Sequence, residues 1–247
     1  MVTLAHISDL HCGEASHSRL DRAREVINSL GCDVVVATGD ITHSGRRGEF
    51  AVARRFFAHL NAPIVGCPGN HDAPVFDPMA RVLAPFARFD SLGLASRWDS
   101  SCGLVSIRGL NSARAIQARW DWSQGAYGRR DFSALSNSFA RGARFRIIAC
   151  HHPPHGPLQK RIAISTRGLE RALPHLTGEH VFLCGHLHHA ADFAVGGLPH
   201  LRVITAPTLT SKRERGEAPG FRVMEFSQSL TVTTWRWRGN EYSPAVA

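Results

Sequence analysis

Apolar runs and helical spacings take turns along the first part of the chain. Val2–Ser8 reads as a strand. Ser18–Leu30 sets apolar side chains at Leu20, Ala23, Val26, Ile27 and Leu30, the spacing of one helix face. Gly31 supplies the residue that commonly ends such a helix. Asp33–Thr38 is valine-rich without polar alternation, the pattern of a parallel strand covered on both faces. Beyond a loop over Gly39–Gly48, a second helix is expected over Glu49–Leu60. A short strand over Pro63–Gly66 then leads into the loop Pro68–Pro74. This β-α-β-α-β opening predicts an α/β architecture with right-handed crossovers.

The second half reads as strands at Leu104–Leu110, Phe145–Cys150 and His180–Cys184. Four more follow at Ala191–Val195, Leu201–Thr205, Phe221–Phe226 and Leu230–Arg238, closely spaced with turn residues between them, as an antiparallel meander requires. The expected whole is a single domain over residues 1–247, two mixed sheets packed face to face with helices outside. Asn111–Asp131 has no convincing period and reads as a long surface excursion, a feature often functional.

Composition changes this picture in one respect. The 247 residues are 43% hydrophobic and 20% charged, ordinary for a globular chain, and no apolar run approaches the ~20 residues of a membrane span. Histidine, however, occurs 15 times. The 29 Lys+Arg against 20 Asp+Glu give a net charge of +9, and only Lys160 and Lys212 are lysines. Arginine suits anionic ligands through its fixed fork of donors, yet these arginines are scattered and form no long basic tail. The six cysteines show no C-x-x-C pairing, and several sit in strand-like contexts, where the residue acts as a small buried hydrophobe. The start Met1-Val-Thr-Leu has no basic and apolar leader pattern, so the expected location is the cytoplasm.

Histidine placement is the sharpest signal. Five segments set metal-type ligands directly after apolar runs: Asp9-Leu-His11, Gly39-Asp40, Gly69-Asn70-His71-Asp72, His151-His152-Pro153-Pro154 and Gly185-His186-Leu-His188. The carboxyl ends of strands are where loops of an α/β sheet converge on a ligand. In the i, i+2 pairs Asp9/His11 and His186/His188, both side chains leave the same side of an extended backbone. Singly, Asp9, Asp40 and Asn70 suit turns or helix caps, and Gly39, Gly69 and Gly185 suit turns. Their joint order is what points to one centre.

In that order the sequence resembles the calcineurin-like metallophosphoesterase superfamily: D-x-H, G-D, G-N-H-[DE], a lone His and G-H-x-H, over Asp9–His188. The strings His6-Ile-Ser-Asp-Leu-His11, Pro68-Gly-Asn-His-Asp72, His151-His-Pro-Pro154 and Cys184-Gly-His-Leu-His188 are most similar to the bacterial class III cyclic-nucleotide phosphodiesterases. The resemblance implies a four-layer αββα sandwich. It also implies one metal on Asp9, His11 and His188, a second on Asn70, His151 and His186, and Asp40 bridging them. A metal-bridging hydroxide would attack phosphorus in line, and His71 would stabilise the transition state or protonate the leaving alkoxide. Asp, Asn and His donors suit Mn²⁺, Fe²⁺/Fe³⁺ or Zn²⁺ without choosing among them.

The expected activity is hydrolysis of a small phosphodiester such as a 3′,5′-cyclic nucleotide. The same site would also serve a nuclease or polynucleotide phosphatase, which the net charge favours, a phosphomonoesterase, or a lipid-linked phosphoesterase, against which the lack of an evident amphipathic segment counts. A non-catalytic scaffold would be expected to have lost ligands. A homo-oligomer stays open. Around the centre, His152 is expected beside the ligands rather than among them. His43, His155 and His189 either line the pocket or lie on loop surface. Arg114, Arg119, Trp120 and Trp122 either hold substrate or anchor their loop. Trp235-Arg-Trp237 places both indoles on one strand face, for core packing or an interface, and Lys212–Glu217 reads as a solvated loop.

Overall fold

The computed structural model describes residues 1–117, 123–154, 166–168, 175–176, 178–195, 198–210 and 216–245. Arg119, Trp120, Trp122, His155, Lys160 and residues 212–215 lie outside them. β1 (Val2–Ile7), α1 (His17–Ser29), β2 (Val34–Thr38), α2 (Arg47–Ala58) and β3 (Ile64–Cys67) reproduce the expected opening. Gly31 has a left-handed φ of 59°, as the residue past a helix end requires. α2 starts two residues before its apolar pattern because Glu49 reaches back. Its Oε2 accepts from the backbone N–H groups of Arg46 (3.1 Å) and Ser44 (2.9 Å), satisfying donors the helix leaves open.

The rest comprises α3 (Pro78–Leu83), α4 (Ala87–Asp90), β4 (Arg97–Asp99), β5 (Val105–Gly109), α5 (Arg129–Ser136), β6 (Phe145–Ala149) and β7 (His180–Cys184). β8 (Ala191–Val195), β9 (Leu198–Thr205), β10 (Gly220–Phe226), β11 (Leu230–Arg238) and β12 (Glu241–Pro244) complete it. One sheet has the order β12-β11-β10-β1-β2-β3 and the other β4-β5-β6-β7-β9-β8. β1, β2 and β3 are mutually parallel, as are β5, β6, β7 and β9. The expected meander does not exist as one unit. β8 pairs antiparallel with β9 at the edge of the second sheet, whereas β10, β11 and β12 extend the first. Short loops and alternation describe adjacent strands equally well in either sheet, so the chain pattern could not reveal the crossover from β9 to β10.

Successive residues of the central strands face different cores. Leu4, Val34, Val36, Ile147, Leu183 and Ile204 fill the space between the sheets. Their neighbours Ala5, Ile7, Val35 and Ala37 meet Leu20, Ala23 and Ile27 of α1 and Phe50, Ala53 and Phe56 of α2. Ile148, Phe182 and Val203 face outward against Phe132 and Leu135 of α5. Three cores therefore separate four layers, helix–sheet–sheet–helix, the α/β sandwich expected from sequence. Both faces of the inner strands being covered explains their unbroken apolar runs. Trp235 stacks on Phe221 (5.7 Å) and Trp237 meets Tyr242 edge-on (5.1 Å), so this pair is core packing. No helix among the described residues is long and apolar enough to cross a membrane.

Candidate metal centre

The predicted ligands follow the carboxyl ends of five parallel strands, drawn from both sheets: Asp9 and His11 after β1, Asp40 after β2, Asn70 after β3, His151 after β6, and His186 and His188 after β7. Their loops are laced together. The backbone N–H of Asp9 donates to Gly39 O and that of His11 to Asp40 O, both at 3.0 Å, and Gly185 N–H donates to His151 O at 3.0 Å. Five described non-glycine residues adopt positive φ, and they are Asp9, His11, Asp40, His186 and His188, at 47–67°, so the pairs Asp9/His11 and His186/His188 sit in left-handed turns and not on the extended backbone expected. Strained backbone of this kind persists only where surrounding structure holds it, and it gathers at functional sites.

The ligand atoms of Asp9, His11 and His188 lie within 4.8 Å of one another, as do those of Asp9, Asp40 and His151, and those of His151, His152 and His186. His188 Nε2 stands 3.1 Å from Asp9 Oδ1 and 3.3 Å from His11 Nε2. Asp40 lies between the two groups, its Oδ2 3.2 Å from His151 Nε2 and 4.0 Å from His11 Nε2. Its other oxygen accepts from the His71 backbone N–H at 2.8 Å. Asn70 enters the same turn, with its side-chain oxygen buried and without a hydrogen bond.

Several observations fit a pair of cations. Asn70 Oδ1 is buried without a hydrogen-bond partner, at a usual cost of about 1–3 kcal/mol unless another partner compensates, while Asp9 Oδ1 and His151 Nε2 meet only the His188 and Asp40 side chains of the cluster itself. Burial acts to raise the carboxyls of Asp9 and Asp40, yet the His188 and His151 imidazoles hold them well below the usual range. Burial alone would lower His151, but Asp40 pushes it up to about 10, so the carboxylates demand positive charge where these residues meet. Two carboxylates, an amide oxygen and four imidazoles, with no thiolate, form a donor set for a first-row divalent ion.

Residues to which the sequence order gives no role, Asp72 of the G-N-H-D segment among them, hold this arrangement. Thr38 O accepts from His151 Nδ1 (2.8 Å), which turns Nε2 towards Asp40. The Asp72 carboxylate joins two ligand loops, accepting from Gly69 N–H (2.8 Å) and from the Thr42 N–H (2.9 Å) and hydroxyl (3.0 Å). Thr208 and Thr210 hydroxyls donate to the carbonyls of Asp9 (2.7 Å) and Leu10 (2.8 Å). Gly69 and Gly185 prove to be sites of close approach rather than left-handed turns. A Cβ on Gly69 would collide with Asp40, and one on Gly185 with Ser8 and Asp9.

The peripheral histidines separate. His152 has both ring nitrogens engaged, Nδ1 with Ser112 Oγ (2.9 Å) and Nε2 with Ser123 O (2.7 Å), so it fastens the excursion to the centre instead of offering a ligand. Ser112 and Tyr127 are buried there, so these described parts of Asn111–Asp131 pack inward and are not a surface excursion. The Arg114 guanidinium donates to the Asn111 and Ala113 carbonyls, which anchors its own loop. His43 closes over the centre, with His11, His43 and His71 grouped together and its Nε2 3.2 Å from Glu14. Its carbonyl accepts from His71 Nδ1 at 2.6 Å. His189 is buried with its Nδ1 3.9 Å from Glu217. A cavity of about 530 Å³ at the end of β5, with Arg97, Arg108 and Arg114 in its lining, reaches none of the seven candidate ligands.

Comparison with known proteins agrees with this geometry. The chain is 24% identical over 247 residues to a probable cyclic nucleotide phosphodiesterase from Vesicomyosocius okutanii subsp. Calyptogena okutanii, covering 94% of this chain and 97% of that protein. It is 36% identical over 80 residues to the glycerophosphodiester phosphodiesterase GpdQ of Enterobacter lignolyticus, a match covering 28% of this chain and 29% of that protein. The crystal structure of a dimetal phosphatase from Danio rerio shares the fold at a TM-score of 0.69 and 13% identity, with 98% of each chain covered. Residues 2–190 match the family model for calcineurin-like phosphoesterases. The chain belongs to the calcineurin-like phosphoesterase family, and its His/Asp cluster fits the dinuclear centre through which that family works.

Proposed function

We propose that the chain is a dinuclear metal-dependent phosphodiesterase acting on a small diester, with 3′,5′-cyclic nucleotides as the favoured substrate class. The observation that carries this reading is the pair of carboxylate–imidazole groups meeting at Asp40. Support for a diester comes from the two curated relatives, both named as phosphodiesterases. Asp9, His11 and His188 would hold one cation and Asn70, His151 and His186 the other, with Asp40 standing between the two sets. Two bound divalent cations supply activation of the attacking water and neutralise charge growing on the phosphoryl oxygens.

The protein's own contribution is placement and proton delivery. Thr38 fixes the tautomer of His151, and Asp72 holds the Asp40 and Asn70 loops in register. With Nδ1 committed to the His43 carbonyl, His71 turns Nε2 outward as the atom that carries a proton to the leaving alkoxide as the P–O bond breaks. A substrate panel with Mn²⁺ present tests the assignment: cyclic nucleotides, linear dinucleotides, single-stranded DNA and phosphomonoesters at matched concentration. Highest kcat/KM on the cyclic diesters is expected. Preference for polymer, abolished by modest salt, would replace the reading with a nuclease, and preference for monoesters would end it.

A further inference from the structure

The exposed apolar side chains of the described residues are concentrated in one place. Among the described residues, seven large hydrophobic side chains are exposed, and five of them fall within Val75–Leu83. Leu83 is 74% exposed, Met79 68% and Phe76 67%. α3, which carries Met79, Val82 and Leu83, has no buried residue at all, so these side chains stand off the body instead of lining a groove. The segment is nonetheless fixed. Arg81 donates to Pro74 O (3.0 Å) and to Ala115 O (2.8 Å), and Asp77 caps α3 through the Ala80 N–H (3.0 Å). Ile116, 51% exposed, follows directly on the Ala115 anchor.

Arginine borders this apolar surface. The Arg46 guanidinium lies 4.3 Å from the Phe76 ring centroid. Arg88 pairs with Asp77 at 2.5 Å and also lines a groove of about 390 Å³ with Arg47 and Arg54. Asp77 is the one acid between Ala73 and Phe86, and Arg88 neutralises it. An apolar crest bordered by cationic groups is the composition of an interfacial anchor for anionic lipid. A second copy fits less well, because a two-fold contact here would set these arginines against their own copies.

We propose that Val75–Leu83, with Arg46, Arg47 and Arg54 beside it, docks this protein on an anionic lipid surface. The crest begins three residues after Asp72, so docking holds the metal centre close to the bilayer. The claim is independent of which phosphoester the centre cleaves.

Flotation of the full chain with phosphatidylcholine vesicles, and with vesicles also containing phosphatidylglycerol, tests it. Binding to the anionic vesicles alone, weakened by salt, is expected. The triple variant Phe76→Ser/Met79→Ser/Leu83→Ser should lose flotation while hydrolysing soluble bis(p-nitrophenyl) phosphate as before. Arg47→Glu should bind at least about fivefold more weakly. Absence of flotation, flotation unchanged in the triple variant, or equal affinity for both vesicle types would each overturn the proposal. A concentration-dependent dimer that the triple variant abolishes, without vesicle binding, would assign the crest to self-association instead.

Discussion

Histidines in this chain are set to different tasks by single hydrogen bonds. His151 and His71 each commit Nδ1 to a carbonyl, of Thr38 and His43 respectively, and so present Nε2. His71→Ala should retain both metals and lose about 10²–10⁴ in kcat, checked by metal content alongside steady-state kinetics; unchanged kcat would remove it from proton transfer. His6 shows the opposite use, with no ligand role. Burial, helped by the Arg222 charge, pushes its imidazole down to about 3, and its Nε2 pairs with Thr38 Oγ1 at 2.9 Å. The folded chain keeps it neutral while the unfolded chain protonates near 6.5. Between these values the unfolded state binds more protons, so stability is full above pH 6.5 and falls as pH drops towards 3. One such group contributes a slope of about 1.4 kcal/mol per pH unit. Urea midpoints taken from pH 7 to pH 5 should fall less steeply for His6→Gln than for the natural sequence.

At the scale of elements, legibility followed burial. β1, β2, β6 and β7 were readable because both of their faces are covered, which leaves no polar interruption in the sequence. β4 and β12 span three and four residues at sheet edges, too short to show a period. α3, α4 and α5 likewise escape the pattern; α3 sets Met79, Val82 and Leu83 at helical spacing but spans six residues, too few to establish a period. The ligand loops were legible as an order of residues, but what fastens them was not. Thr208 lies 199 positions from the Asp9 carbonyl it bonds, a contact only the fold creates. The motif glycines carry a related constraint. Gly69→Ala would drive a methyl group into the Asp40 backbone and carboxylate, parting the loops after β2 and β3. A loss of about 1–3 kcal/mol in urea unfolding is expected, together with loss of metal.

Across the whole molecule, two sheets of different connectivity bring their parallel carboxyl ends together, and the centre sits where they meet. That explains why candidate ligands as far apart as Asp9 and His188 occupy one cluster, and why the 15 histidines are an informative excess. The net charge of +9 is informative in another way: Arg46, Arg47, Arg54 and Arg88 stand beside the Val75–Leu83 crest. The central claim is that this cluster works as a two-cation site. Its most direct test is titration of chelator-stripped protein with Mn²⁺ while hydrolysis of bis(p-nitrophenyl) phosphate is followed. No turnover without metal and full recovery at two equivalents per chain are expected; undiminished turnover by the metal-stripped protein would contradict the account.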